Sequence, residues 1–253
     1  MLNLIEFAIL LTFFYLIIMG VIGIGLIFIR TQKRVFQTLA VSVIVCARNE
    51  GQIISRLLQS LTNLRYPEDK YEIILVDDDS TDDTLSIMND FASGKSNWKV
   101  LHHDKTTDQL KGKKGAITLG VQNSCGEIIL VTDADCVVPP NWIASMVSYF
   151  RKEVGMVLGH SPVARRKGFM NIYERFDTLC EASVAAASTF YNKPTHANGR
   201  NLAYRKKAFE DVNGYYRSAN TDTGDDFFLM QEIRTKTRWR FAYNIDPASY
   251  VTT

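Results

Sequence analysis

Glu127-Ile128-Ile129-Leu130-Val131-Thr132-Asp133-Ala134-Asp135-Cys136 lies in the middle of this 253-residue chain. Its unbroken apolar run, Ile128 to Val131, is rich in β-branched residues. Such a run is typical of a strand that is buried on both faces, as in a parallel sheet. The stretch therefore predicts an α/β fold, in which helices cover both sides of a mostly parallel sheet.

Two carboxylates, Asp133 and Asp135, end this apolar run. Because side chains at i and i+2 of an extended chain point to the same side, we expect the two carboxylates to converge. Unpaired carboxylates that are withdrawn from water are costly, so a cation is expected beside them. Mg²⁺ binds one or two carboxylates together with phosphate oxygens, and it is the natural candidate. The alternative is an acidic turn that caps the next helix.

Apolar segments on both sides of this strand alternate with helical patterns, which predicts βαβ units. Three polar clusters follow predicted strands: Ala47–Glu50, Asp77–Asp79 and Asp133–Asp135. In a parallel sheet, ligands bind beyond the carboxyl ends of the strands, where the strand order reverses. We therefore expect these clusters to form one binding site.

Secondary structure outside the clusters is predicted as follows. Strands are expected at 41–46, 72–76, 99–101, 154–160 and 239–245, and helices at 53–61, 81–91, 111–123, 139–150, 169–190 and from 224 onward. Ser80 or Thr81 is the expected N-cap of the second helix. The aromatic residues of 169–190 are expected in the core, with a membrane or a lipid acceptor as the alternative.

The N-terminal segment Phe7–Ile29 contains 23 residues without a charge. At about 1.5 Å per residue it extends over about 35 Å, enough to cross a bilayer core. A signal peptide is disfavoured because no basic segment precedes the run, and a buried soluble helix because the run is long. Arg30, Lys33 and Arg34 follow it, so the positive-inside rule predicts a single-pass protein of the inner (cytoplasmic) membrane with its remaining residues in the cytoplasm.

Overall composition excludes other classes. A formal net charge of +2 argues against a nucleic-acid partner, which would demand a strong basic excess. The four cysteines form no Cys-x-x-Cys pair, so they predict no zinc site and are expected in the core. We divide the chain into an anchor (1–30), a juxtamembrane linker (31–40) and a catalytic domain (41–253).

Five segments, in this order, resemble the family-2 inverting glycosyltransferases of the GT-A fold, particularly the membrane-anchored polysaccharide-synthase type. They are Val45–Glu50, Leu75–Asp82, Lys113–Ala116, Thr132–Asp135 and Gly224–Leu229, and the family's Asn-Gly segment is matched by Asn198-Gly199. The resemblance implies a Rossmann-like, mixed but mostly parallel sheet. It also implies transfer of a sugar from a nucleotide diphosphate, of the UDP type, to a saccharide acceptor.

The same resemblance implies a role for each matching residue. The residues that would bind the donor are Ala47, Glu50, Asp77, Asp78, Lys113 and Asp133. Asp135 would hold a divalent metal, Mg²⁺ or Mn²⁺, and Asp226 would be the catalytic base. Asn198, Gly199 and Asp225 would lie on the acceptor side, although Asp225 stands where the family has Glu.

One alternative is a polyprenyl-phosphate glycosyltransferase, which has the same fold and a lipid-linked acceptor. Another, from a different class, is a non-catalytic nucleotide-sugar sensor or scaffold at the membrane. A sensor needs no base at Asp226. A nucleotidyltransferase would carry a glycine-rich loop after its first strand, and Ala47-Arg48-Asn49-Glu50-Gly51 is not one. Processive relatives continue into a Gln-x-x-Arg-Trp helix and further membrane spans, so we expect this chain to be shortened at its C-terminus.

Overall fold

The computed structural model describes residues 3–104, 110, 112–218 and 224–253. The strands are β1 (Val41–Ala47), β2 (Tyr71–Asp77), β3 (Trp98–His102), β4 (Ile128–Asp133), β5 (Val154–Gly159), β6 (Leu202–Arg205) and β7 (Arg240–Asn244). The helices are α1 (Leu4–Ile29), α2 (Ile54–Thr62), α3 (Thr84–Ala92), α4 (Gly112–Gln122), α5 (Trp142–Val147), α6 (Phe169–Phe190), α7 (Lys206–Asp211) and α8 (Asp225–Lys236). Lys111, predicted to open α4, lies outside the described residues.

The seven strands form one sheet in the order β3-β2-β1-β4-β6-β5-β7. All neighbours pair in parallel except β6, which runs antiparallel to both β4 and β5. The chain builds β2 and β3 on one side of β1 and then returns to place β4 on the other. The strand order therefore reverses between β1 and β4, and the predicted mostly parallel α/β sheet is confirmed.

Apolar layers cover both faces of the sheet. One layer contains Leu57, Leu58 and Trp142 from α2 and α5, and the other contains Ile117 of α4 and Met230 of α8. Strand β4 contributes to both layers, with alternate residues facing opposite sides, and its residues 128–131 are buried. Burial on both faces is the physical reason for its continuous apolar sequence.

Several local predictions were wrong. Strand β6 and helix α7 were not foreseen, because the short segment Leu202–Arg205 is a strand only through pairing with β4 and β5. Helix α3 begins at Thr84, because Ser80 and Thr81 bind Asn49 of the neighbouring loop instead of capping a helix. Helix α5 is confined to six residues.

Two predictions of buried side chains were also wrong. Most aromatic residues in the first half of α6 are exposed, including Phe169 (82%) and Phe176 (63%). Among the four free cysteines, Cys125 and Cys180 are exposed, Cys46 is half-buried and Cys136 is buried. Burial in these places depends on which elements pack together, and a local sequence pattern does not contain that information.

Helix α1 projects from the rest of the structure, with nearly every side chain before Val21 exposed. It is 26 residues long with a mean hydropathy of 2.6, and within the described ranges it is the one helix long and apolar enough to cross a membrane. Its last turns contact α6, where Gly25 lies against the Ala187 backbone and Phe28 stacks on Phe190 at 5.8 Å. The following segment, 31–40, has no helix or strand.

Candidate active site

A cavity of ≈ 310 Å³ opens at the carboxyl ends of β1 and β4, where the strand order reverses. Ligand sites of parallel α/β sheets occur at this position. The cavity is lined by residues from the predicted clusters and their neighbours: Cys46, Ala47, Arg48, Glu50, Asp78, Lys113, Asp133, Ala134 and Asp135. Six of the residues predicted to bind donor or metal therefore share one wall.

Hydrogen bonds join the loops after β1 and β2 into one unit. Asn49, which has a φ of 55°, donates its backbone N–H to Ser80 Oγ at 3.0 Å, and its Oδ1 accepts from the Thr81 N–H at 2.8 Å. Asn is one of the residues that tolerate this left-handed conformation. Next to it, the Glu50 N–H donates to Thr84 Oγ1 at 2.8 Å. These bonds fix the rim of the cavity.

Two histidines hold the acidic pair that follows β2. His103 Nδ1 lies 2.8 Å from Asp78 Oδ1, and both side chains are buried. His102 Nδ1 lies 2.9 Å from Oδ2 of Asp77, whose side chain is fully buried. Asp78 reaches the cavity wall, whereas Asp77 lies behind it.

Neither histidine was predicted as a site residue, although both follow the predicted strand segment 99–101. Adjacent to them, Gly115 allows α4 to approach closely, since a Cβ there would lie 2.4 Å from His103 Nε2. The strand-end rule that selected Asp78 could also have selected His102 and His103.

Lys113 of α4 is the cation at the centre of the site. Its Nζ lies 2.7 Å from Asp133 Oδ1 and 3.8 Å from Asp225 Oδ2. Burial alone would lower the pKa of Lys113, but the carboxylates of Asp133, Asp226 and Asp225 raise it above its ordinary value. The ammonium therefore stays charged and is available to an anionic ligand.

Negative charge is in excess around Asp135. Glu50 has a raised pKa, first because of burial and then because of Asp135, Asp82 and Asp133. Burial, Asp135 and Asp133 likewise raise the pKa of the Cys136 thiol to about 12. These shifts show that the carboxylates repel further negative charge, a condition that a bound cation relieves.

The donor set fits a divalent ion that is held partly by a ligand. Within the described residues, no group of three His, Cys, Asp or Glu side chains is arranged to hold a metal. Mg²⁺ characteristically takes one or two carboxylates and completes its shell with phosphate oxygens and water. Asp135, which is exposed in the cavity, and Asp133 are the carboxylates in position for this.

Asp226 enters the site from α8, on a different element from the strand-end residues. Gly224 precedes the helix with a φ of 78°, a conformation that glycine adopts readily. Asp226 accepts a hydrogen bond from the Gly199 N–H, and its Oδ1 is buried without a hydrogen-bond partner among the described residues. A Cβ at Gly199 would lie 2.3 Å from Asp226 Oδ2, so only glycine permits this approach.

Burial raises the pKa of Asp226 to about 7, against the opposing effect of Lys113 and with further contributions from Asp225 and Asp133. The position of Asp226 in the first turn of α8 would by itself favour the ionised carboxylate. That helix effect amounts to about 0.3–1 kcal/mol. A shift of one pKa unit already corresponds to about 1.36 kcal/mol, so burial and like charge dominate. A carboxyl that titrates near neutrality is well suited to accept a proton.

Asn198, one of the three residues predicted on the acceptor side, borders a second, narrower cavity. Asn198 accepts a hydrogen bond from the Arg200 N–H at 3.1 Å and lines this cavity together with His160 and Glu181. Gly199, the next residue, lies against the Asp226 carboxylate. Gly199 and Asp225 are therefore direct neighbours of Asp226, and Asn198 is placed beside it by the chain.

Comparison with known proteins gives a consistent family. Residues 42–213 match the sequence pattern of the family described as Glycosyl transferase family 2. The chain is 30% identical over 225 residues to a beta-monoglucosyldiacylglycerol synthase from a Nostoc species, covering 84% of this chain and 46% of the relative. It is 28% identical over 186 residues to a poly-beta-1,6-N-acetyl-D-glucosamine synthase from Staphylococcus epidermidis, covering 71% and 42%. The chain thus spans about half the length of these curated relatives.

A similar solved structure is a mannosyltransferase from Pyrobaculum calidifontis in complex with GDP-Man and Mn²⁺. Its TM-score is 0.68 at 22% identity, and the match covers 93% of this chain and 65% of the other. At that identity the likeness establishes the fold, which is GT-A. Together with the matched residues 42–213, the sheet and its strand-end cavity make this chain a member of glycosyl transferase family 2.

Proposed function

We propose that this protein transfers a sugar from a nucleotide diphosphate donor, of the UDP type, to a hydroxyl of a saccharide acceptor, with inversion at the sugar carbon. The observation that carries the proposal is the meeting of two sets of groups around Lys113. Lys113, Asp133 and Asp135 line the strand-end cavity, and Asp226 comes from α8, close enough to Lys113 and Asp133 for the three groups to shift one another's pKa. The first set suits a diphosphate, and the second suits an acceptor hydroxyl.

On the donor side, Asp78, Asp77, Ala47 and Glu50 would define the nucleoside pocket. Asp78 is on the wall and is held by His103, which fixes the direction of its carboxylate. Lys113 would exchange part of its contact with Asp133 for the diphosphate, since its positive charge is retained. Stabilising charge on a leaving group is generally the largest single contribution to such a reaction.

Asp135, with Asp133, would hold Mg²⁺ or Mn²⁺ together with the diphosphate. When bound, the ion would neutralise charge that develops on the departing nucleotide. The similar mannosyltransferase structure contains GDP-Man and Mn²⁺, which is consistent with a divalent metal at Asp135. The repulsion that raises the pKa of Glu50 supports a cation at this place independently of that likeness.

On the acceptor side, Asp226 would take the proton of the attacking hydroxyl as its oxygen bonds to the anomeric carbon. The bond from that carbon to the phosphate oxygen breaks, and the nucleoside diphosphate leaves. A single displacement of this kind inverts the anomeric centre. A base at Asp226 also argues against a non-catalytic sensor or scaffold, which has no use for a carboxyl that titrates near neutrality.

A lipid-linked acceptor is the second candidate, covering the polyprenyl-phosphate type. Two observations favour it: the relative from Nostoc is named for a diacylglycerol product, and the first half of α6 exposes apolar side chains beside the cavity at Asn198. Thr178 and Glu181 of α6 line that cavity. An acceptor whose hydroxyl is presented at a membrane would reach Asp226 from this side.

We also propose that α1 anchors the protein, with 1–30 as the anchor, 31–40 as the linker and 41–253 as the cytoplasmic catalytic domain. Arg30, Lys33 and Arg34 at the end of α1 support this orientation. Impermeant thiol reagents applied to intact cells should leave the exposed Cys125 unmodified. Modification of Cys125 from outside the cell would contradict the proposed cytoplasmic location of residues 41–253.

The central test is calorimetry of the full chain with UDP and, separately, GDP, each with and without Mn²⁺. We expect UDP to bind, the metal to strengthen binding by at least about tenfold, and Asp135→Ala to remove that gain. Asp79→Asn, in the acidic segment after β2 but outside the cavity wall, is the control for loss of a negative charge and should behave like the parent. Equal nucleotide affinity with and without metal in the parent would contradict the metal-assisted mechanism.

A further inference from the structure

The side chain of Asn201 is a fully buried junction between three parts of the domain. Its Oδ1 accepts the indole N–H of Trp142 at 2.9 Å, and its Nδ2 donates to the carbonyls of His160 at 2.8 Å and Ser249 at 2.7 Å. An indole N–H can only donate and a carbonyl can only accept, so these partners fix the orientation of the amide. Both donors of the Asn201 amide and its oxygen are therefore in use.

Packing around this amide leaves it a single position. A Cβ at Gly159, the last residue of β5, would lie 2.3 Å from Asn201 Cγ, so the β5 backbone fits against the amide only because residue 159 is glycine. The partners Trp142 and Ser249 are fully buried as well. A buried polar group that loses its partner keeps the full cost of its removal from water. Displacement of the Asn201 amide is therefore opposed both by its hydrogen bonds and by its neighbours.

Asn201 ends the short turn that carries Gly199. Residues Gly199–Asn201 form one 3₁₀ turn, in which the Asn201 N–H donates to the Asn198 carbonyl at 3.1 Å. The Gly199 N–H donates to the Asp226 carboxylate, and a Cβ at Gly199 would lie 2.3 Å from Asp226 Oδ2. The fixed amide and the N–H that contacts the carboxylate therefore belong to the same turn, and the position of the one determines the position of the other.

The Gly199 N–H matters to Asp226 because other groups around this carboxyl act on its charge. Titratable side chains from four secondary-structure elements and one loop interact with it: Lys113, Asp133, Tyr204, Tyr215 and Asp225. Both tyrosines are neutral near pH 7, since burial raises their pKa values. Burial raises the pKa of Asp226 to about 7, Lys113 lowers it, the two aspartates raise it and the Gly199 N–H lowers it. This N–H therefore favours the ionised form of the carboxyl.

We propose that Asn201 is a positioning residue for the Asp226 carboxyl: its side-chain hydrogen bonds hold the turn whose Gly199 N–H binds and orients that carboxylate. The inference rests on the proposed function, in which Asp226 is the base. Asn201 lines neither the strand-end cavity nor the cavity at Asn198, so an effect of its substitution on Asp226 has to pass through the turn. A base has to lie within hydrogen-bond reach of the proton that it removes, which gives the orientation its importance.

A buried amide that only stabilises the fold would give a different result on substitution. Loss of its hydrogen bonds would lower the unfolding temperature and leave the Asp226 carboxyl as it is. A positioning role predicts in addition that the carboxylate loses the Gly199 N–H. Because that hydrogen bond lowers the pKa of Asp226, its loss raises the pKa further. The unfolding temperature and the pKa of Asp226 together separate the two roles.

Two substitutions disturb the Asn201 amide in different ways, and each tests the inference by itself. Asn201→Asp keeps the size of the side chain and removes at least one of its two donated hydrogen bonds. Gly159→Ala leaves Asn201 chemically intact and displaces its amide with a methyl group. Asn171→Asp is the matched control, since Asn171 is a buried amide of α6 that binds the Arg166 N–H and the Ala164 carbonyl instead of the turn at Gly199.

The side-chain carboxyl carbon of Asp226 is followed by NMR as a function of pH in the full chain, with its signal identified by its loss in Asp226→Asn. We expect the titration midpoint to rise by about one pH unit or more in Asn201→Asp and in Gly159→Ala, which is about a tenfold change in the acid dissociation constant. The midpoint should stay at the parent value in Asn171→Asp. Calorimetry with UDP and Mn²⁺ should give affinities within about twofold of the parent in all three variants, because the donor side is left in place.

The titration requires neither donor nor acceptor, so it fails independently of the proposed function. A lower unfolding temperature of Asn201→Asp with an unmoved Asp226 midpoint would overturn the inference, whatever the role of Asp226 in transfer. An equal rise of the midpoint in Asn171→Asp would also refute it, because the carboxyl would then respond to any loss of stability. The expected shifts together with an Asp226→Asn protein that keeps its transfer rate would support the positioning and contradict only the role of Asp226 as base.

Discussion

The carboxylates on the two sides of the cleft differ in their partners: one side is formed by the ends of the strands and the other by α8. On the strand-end side, Asp77, Asp78 and Asp133 each have a cationic or imidazole partner within 2.9 Å. On the α8 side, Asp225 lies 3.8 Å from Lys113, and Asp226 forms no ion pair with any residue that the structure describes. A carboxylate that is paired keeps its charge and position, whereas one that is buried without a partner becomes a weaker acid.

From this difference we expect the strand-end side to bind the donor and the α8 side to accept a proton. Paired groups are organised before a ligand arrives and are suited to binding. Asp226, whose pKa is raised to about 7, can exchange a proton near neutral pH. The following predictions test whether binding and proton transfer are separated in this way.

The largest effect is expected from Asp226→Asn. It removes the proposed base, a group that typically contributes about 10²–10⁴-fold, and should lower kcat and kcat/KM alike while UDP affinity is unchanged. Calorimetry and initial-rate assays on the variant and the unmodified protein measure the two quantities. Glu210→Gln, an exposed acid on α7, is the control. If the variant retains more than about a tenth of the parent rate, Asp226 is not the base, and its carboxylate serves only to stabilise the N-terminus of α8.

Gly199→Ala should act through Asp226. Its Cβ would lie 2.3 Å from Asp226 Oδ2, so the carboxylate has to move from its position. Displacement of a catalytic group should reduce transfer by about tenfold or more with little change in UDP binding. In the Asp226→Asn background the same substitution should have no further effect on the rate. Full additivity of the two substitutions would contradict the coupling.

The pH dependence of kcat/KM should report Asp226. The base has to be deprotonated to act, so activity is present above the raised pKa and is lost as pH falls through about 7. Between pH 8 and pH 6 the deprotonated fraction, and with it kcat/KM, should fall about tenfold. The residual rate of Asp226→Asn should lack this inflection. A parent profile that is flat from pH 6 to pH 8 would mean that another group accepts the proton.

The smallest effect is expected on the strand-end side. His103→Gln removes the buried contact with Asp78 and should weaken UDP binding about fivefold, which corresponds to about 1 kcal/mol for one hydrogen bond. The turnover rate at saturating donor should stay within about twofold. His196→Gln, an exposed histidine that lines the second cavity and not the donor cavity, serves as the control for UDP binding. A loss of turnover as large as that of Gly199→Ala would show that the two sides are not separable.

Elements of the fold were predictable from the sequence where burial leaves a local hydrophobic pattern. Strand β4 is continuous and apolar because both of its faces are buried, and Asp133 and Asp135 follow it directly. In contrast, β6 has four residues and a pattern that fits several structures, so only its pairing with β4 and β5 makes it a strand. The exposure of Phe176 on α6 likewise depends on where α6 packs.

By itself, the sequence determined the α/β class, the polar clusters at the strand ends, the apolar helix α1 and the identity of the groups around the cleft. These features follow from hydrophobic periodicity and from the rule that parallel strands end at one edge of the sheet. The tertiary structure alone decided that His103 holds Asp78, that Gly199 lies against Asp226 and that burial raises the pKa of Asp226. Those properties depend on distances between residues far apart in the chain, and electrostatic and desolvation energies vary with such distances and not with sequence spacing.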